Sequence, residues 1–131
     1  MTRQDLKELY HLKGYIEEQT EEYIKKFDLI TKVTQSLDGM PKAHNKPNYT
    51  IEEFIDSSTA IIALINQDLE KEKAIMTQIN SMSNYLYKRI LYDRYVLRKS
   101  FDEISEAIKY DYYNTCKFHG HALNEFDKLD G

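Results

Sequence analysis

The chain has 131 residues, with 18 Lys and Arg against 22 Asp and Glu, and a formal charge of −4 at pH 7. Only four glycines and two prolines punctuate it, while 41% of residues are hydrophobic and 31% charged, a balance that suits long helices with charged outer faces and argues against a turn-rich β sandwich. No apolar run approaches the roughly 18 residues that span a bilayer, Met1-Thr2-Arg3-Gln4-Asp5 has no apolar signal core, and the lone Cys116 rules out an internal disulfide or a CxxC pair, so a soluble cytoplasmic protein is expected. Residues 1–82 hold ten basic and fourteen acidic side chains, and residues 83–131 hold eight of each. Between 83 and 124 basic residues lead seven to five, so a polyanion would approach this part more readily, although an ordinary solvated helical surface explains the difference equally well.

From residue 2 to 37, Leu9, Ile16, Tyr23, Ile30 and Leu37 recur every seventh position. The companion positions Leu6, Lys13, Thr20, Phe27 and Thr34 are only partly apolar, so a long isolated coiled coil is not expected. Leu12, Tyr15, Ile24, Leu29 and Val33 widen the face enough for more than one neighbour. Glu17, Glu18, Glu21 and Glu22 lack an accompanying Glu-x-x-His and read as a solvated acidic face. Residues 38–49 contain both prolines and read as a loop, after which Thr50 and Glu53 form a capping box. A second helix, marked by Ile51, Ile55, Ile62, Ile65, Leu69, Met76 and Ile79, is predicted to run to about residue 81 and to fold back as an antiparallel hairpin over 1–82. Because its apolar faces are broader than one partner helix would cover, the hairpin is expected to form a homodimer or to hold a partner.

After the polar junction 80–84, a helix is predicted over 85–95 and a shorter one over 101–108, opened by the Ser100 and Glu103 capping box. Residues 109–111 turn the chain, and Asp111 caps a last helix reaching about residue 129. This is the layout of a helix-turn-helix in a domain spanning 83–131, although three packed helices without a nucleic-acid role share the same spacing. At about 100° per residue, Thr115, His119, Ala122, Phe126 and Leu129 face inward with Phe118 at their edge. Tyr113, Lys117, Gly120, His121 and Asn124 face outward, flanked by Asn114 and Cys116. Asn can read adenine, Lys can reach guanine or phosphate, and Tyr and His can donate to phosphate oxygens, so this face has chemistry suited to DNA. His119 and His121 point apart on the helix and no third ligand is evident, so neither a metal nor another cofactor is expected. Without a phosphate loop or nucleophile elbow, the chain does not read as an enzyme.

Arg94-Tyr95, Ser100, Glu103-Ile104-Ser105, Ile108 and Ala122-Leu123 stand at the separations of the helix-turn-helix in region 4 of bacterial σ factors. With His119-Gly120-His121-Ala122-Leu123-Asn124-Glu125-Phe126 closing the unit behind an N-terminal helical pair with a Gly-Met-Pro loop, the chain resembles the σ region 4-like phage proteins of the DUF1492 family. These are similar in layout to ArpU- and RinA-type late-gene regulators of phages and prophages. The resemblance implies a transcription regulator of a bacterial host cell that binds double-stranded DNA, with RNA polymerase as a candidate partner. It places the last helix in the major groove, with Arg98, Lys99 and Ser100 positioning the phosphate backbone. The alternative is an interaction module that binds RNA polymerase or another phage regulator without strong DNA binding. The sequence departs from the family at Lys109, where a glycine is usual, so either Lys109 is left-handed or the turn differs. Asp111, Tyr113 and Thr115 replace the usual Ser, basic and apolar β-branched residues.

Overall fold

A computed structural model of the chain describes residues 1–36 and 51–130, with side chains in 1–32 and 51–130. The described residues form α1 (Arg3–Ser36), α2 (Ile51–Asn80), α3 (Tyr85–Leu91), a π-helical segment (Tyr92–Val96), α4 (Phe101–Ile108) and α5 (Tyr112–Lys128), with no strand among them. The all-α class expected from composition and periodicity is therefore what forms. The expected loop 38–49 and the Thr50 half of the capping box lie outside the described residues.

Local side-chain chemistry starts each of the three short helices. Asn84 Oδ1 accepts from the Leu86 and Tyr87 amides at 2.9 and 3.2 Å, satisfying two donors that the first turn of α3 leaves open. Ser100 does the same for the Glu103 amide at 3.2 Å and Asp111 for the Asn114 amide at 2.7 Å. The helix expected over 85–95 is not uniform: beyond Leu91 the winding widens, and the Leu97 amide reaches back to the Tyr92 carbonyl at 3.1 Å. Both Asp93 and Tyr95 are buried in this wider stretch. Two non-glycine residues then take left-handed backbone, Arg98 at φ 55° and Lys109 at φ 61°. Lys109 ends α4 and donates its amide to the Ser105 carbonyl, which decides between the two outcomes left open for the turn.

The chain divides into two compact units, one made of Met1–Lys13 with Asp68–Gly131 and the other of Gly14–Gln67. This division cuts across the 82/83 boundary expected from the sequence. In the first unit, Leu6 and Leu9 of α1, Ile75 and Ile79 of α2, and Leu91, Tyr95, Ala122, Leu123 and Phe126 belong to one core, joined by Met82. A segment as short as 83–130 has little apolar surface to bury by itself, and the ends of the long helices add theirs to this core. A second cluster gathers Ile90, Ile104 and Ile108, with Phe101 and Phe118 against it. Lys71 pairs with Glu8 at 2.6 Å, and Lys13 with Asp68 and Glu72 at 3.2 and 3.1 Å, tying α1 to α2 within this unit.

The unit Gly14–Gln67 is built differently. Tyr23 stacks on Phe54 at 4.4 Å between centroids, but no described side chain in this unit is fully buried, and Ile24, Phe27, Ile51, Ile55 and Ile62 are each more than half exposed. The partly apolar seam is therefore left unsaturated by the described side chains.

The left-handed Lys109 generates a direct test. A side chain in this conformation costs on the order of 1 kcal/mol that glycine avoids, so Lys109→Gly is expected to stabilise the protein by about 0.5–1 kcal/mol, read as a higher urea midpoint with an unchanged slope.

Candidate nucleic-acid interface

Helix α5 carries five of the residues singled out for DNA contact, and its register follows from what it buries. Thr115, Ala122, Leu123 and Phe126 face the interior, as expected for three of them, while Leu123 joins the core and Leu129 is 43% exposed at the helix end. Buried Thr115 is accommodated because its hydroxyl donates to the Asp111 carbonyl at 2.8 Å and lies 3.0 Å from Ser105 Oγ, tying α5 to α4. With that side fixed, Tyr113 is 75% exposed and Lys117 stands exposed one turn further on. Asn114 is half-buried on the flank. His121 is exposed, with its ring near-parallel to Tyr87 at 6.4 Å.

The remaining positions are committed to the protein's own structure. Asn124 is exposed, but its Oδ1 accepts from Arg3 Nη2 at 2.7 Å, and the same guanidinium binds Asp127 through Nε at 2.6 Å. Burial pushes the Asp127 carboxyl up, but the Arg3 amide and guanidinium outweigh it and hold it below the ordinary carboxylate value. Arg98 lies over the Tyr10 ring at 4.6 Å. The Lys99 carbonyl accepts from Arg94 Nη1 at 3.0 Å, and its amide donates to the Asp93 carbonyl. The Ser100 hydroxyl donates to Glu103 Oε1 at 3.2 Å while capping α4. The eight positions thus split into an open row on α5, made of Tyr113, Lys117 and His121 beside Asn114, and a second group in which Arg98, Ser100 and Asn124 make internal side-chain contacts and Lys99 is fixed through its main chain.

His119 is a packed histidine, as expected. Its Nε2 lies 2.7 Å from the Tyr95 hydroxyl and its ring meets the edge of Phe101 at 4.9 Å. Burial, and then the charges of Arg94, Arg3 and Lys7, lower its pKa to about 4. Tyr95 is pushed up by the same burial, against the opposing pull of Arg94 and Arg3. Among the described residues no group of three or more His, Cys, Asp or Glu is arranged to hold a metal ion. No described helix is long and apolar enough to cross a membrane.

Sequence reasoning does not bring Lys7, Tyr10, Arg94 and His119 together, because they come from distant stretches and share no periodicity. Compared with known protein families, curated proteins and solved structures, the chain matches none.

The depressed His119 pKa predicts how stability responds to acid. Between pH 6.5 and about 4 the unfolded chain takes up a proton at this position that the folded protein refuses, so stability is full above 6.5 and falls as the pH drops through that window. Urea unfolding at several pH values is expected to show this loss, and His119→Gln is expected to make the dependence shallower.

Proposed function

We propose that the chain is a phage or prophage transcription regulator that binds double-stranded DNA through α4, the turn 109–111 and α5, used as a σ region 4-like helix-turn-helix. The observation that carries this reading is the open row on α5: Tyr113 and Lys117 stand exposed at the start of a 17-residue helix whose opposite side is locked to α4 and the core. A helix presented in this way can enter a major groove with its first turns leading. Asn114 and Lys117 are the base and phosphate contacts, and Tyr113 and His121 donate to the backbone. Asn124 takes a lesser part because its carbonyl oxygen is held by Arg3. The Ser100 end of α4 positions phosphate through main-chain amides, since the hydroxyl is spent on Glu103. In this reading residues 1–82 form the hairpin that makes the homodimer, and the exposed Ile24, Phe27, Ile51, Ile55 and Ile62 support that role.

A second reading is an interaction module, in which the same exposed apolar side chains engage RNA polymerase or another phage regulator and α5 is a solvated face. The two differ in what α5 variants do. For the regulator, Lys117→Ala weakens DNA binding and lowers the salt slope by about one unit, and Asn114→Ala relaxes base preference at one position at a cost of roughly 1–3 kcal/mol. Both variants should keep wild-type stability within about 0.5 kcal/mol. Selection of bound fragments from phage and host DNA at physiological salt is the measurement. No salt-sensitive, sequence-selective binding, with or without RNA polymerase, would leave the interaction module standing.

Assembly gives a further test. Light scattering at concentrations on the order of tens of micromolar is expected to show a dimer, and Ile55→Lys combined with Ile62→Lys a monomer of unchanged helicity. A monomeric wild-type protein would overturn the dimer.

A further inference from the structure

We propose that a cleft between the start of α1, the π-helical segment and α5 binds a phosphate-type oxyanion through Lys7, Arg94 and the His119–Tyr95 pair. The cleft measures about 260 Å³ and lies wholly within the unit formed by Met1–Lys13 and Asp68–Gly131. Its walls are aromatic and its charges are cationic. The Arg94 guanidinium lies 4.8 Å from the Tyr10 ring centre and 4.5 Å from that of Phe101, and Nη1 is fixed on the Lys99 carbonyl. A guanidinium carries five N–H groups, so this anchoring leaves donors to spare in a preset orientation. Among the described residues neither Arg94 nor Lys7 pairs with a carboxylate.

Proton counting adds a third donor. A neutral imidazole and a phenol hold two exchangeable protons between them, and the 2.7 Å contact of His119 Nε2 with Tyr95 uses one. Whichever partner supplies it, the pair keeps one N–H or O–H, and both residues line the cleft. The field there is positive: after burial, the causes that disfavour the His119 cation are Arg94, Arg3 and Lys7. An anion would oppose that field. The volume falls below the roughly 300–1,000 Å³ of pockets for drug-sized ligands, which fits a phosphate group and little more. Inorganic phosphate, a phosphate monoester and a nucleic-acid diester share this chemistry. Tyr113 and Lys117 are not part of the cleft, so the inference does not rest on the DNA reading.

The test follows the His119 ring signals of the full chain by NMR while inorganic phosphate replaces chloride at constant ionic strength. Saturable movement is expected, with the acid midpoint of His119 rising above its value of about 4. Exposed Lys7→Gln should raise the half-saturation concentration about threefold or more, with the thermal midpoint unchanged. Phosphate acting no differently from chloride, or an unchanged half-saturation in Lys7→Gln, would overturn the site. Methyl phosphate binding more tightly than dimethyl phosphate assigns the site to a free monoester, and the reverse assigns it to a nucleic-acid backbone; either order supports the site.

Discussion

Phe126, near the end of α5, is fully buried in a core to which α1 contributes Leu6 and Leu9 and α2 contributes Ile75 and Ile79. Polar contacts fix the same junction from outside. Gln78 Nε2 donates to the carbonyls of Met1 and Phe126 at 2.6 and 2.9 Å, and Arg3 grips Asp127 and Asn124. Burial supplies the stabilisation here, since each removed apolar surface contributes by its area, whereas the hydrogen bonds mainly choose which surfaces meet. The placement of α5, and with it the direction of the Tyr113 and Lys117 row, follows from this junction.

The same junction explains why α3 through α5 fall in one compact unit with the ends of α1 and α2. Their own cluster of Ile90, Ile104 and Ile108 is small, and the wider π winding at Tyr92–Val96 turns Tyr95 toward the core shared with α1 and α2. Tyr95 in turn holds His119. Leu6 and Ile79 of the long helices thus share one packed cluster with Tyr95 and with Phe126 of α5.

The Gly14–Gln67 unit carries the opposite balance. It exposes large apolar residues and buries none of its described side chains, so its stabilisation by burial is weak while its capacity to be covered is large. The proposed dimer and the proposed partner binding both draw on that one property.

Helix positions were legible in the sequence because capping and periodicity act over a few residues: Asn84, Ser100 and Asp111 cap helices whatever lies further away, and α4 and α5 begin at the expected residues. The inward side of α5 was legible for Thr115, Ala122 and Phe126 for the same reason, and the packed role of His119 with it. Local rules left the Lys109 backbone open, and its left-handed form closes α4 by returning the Lys109 amide to the Ser105 carbonyl. They gave no sign of the π-helical segment, of Arg3 on Asn124, or of the aromatic cleft around Arg94. Those depend on which surfaces meet across long separations in the chain, and burial of apolar area, being non-directional, leaves that choice to the three-dimensional fit of the helices.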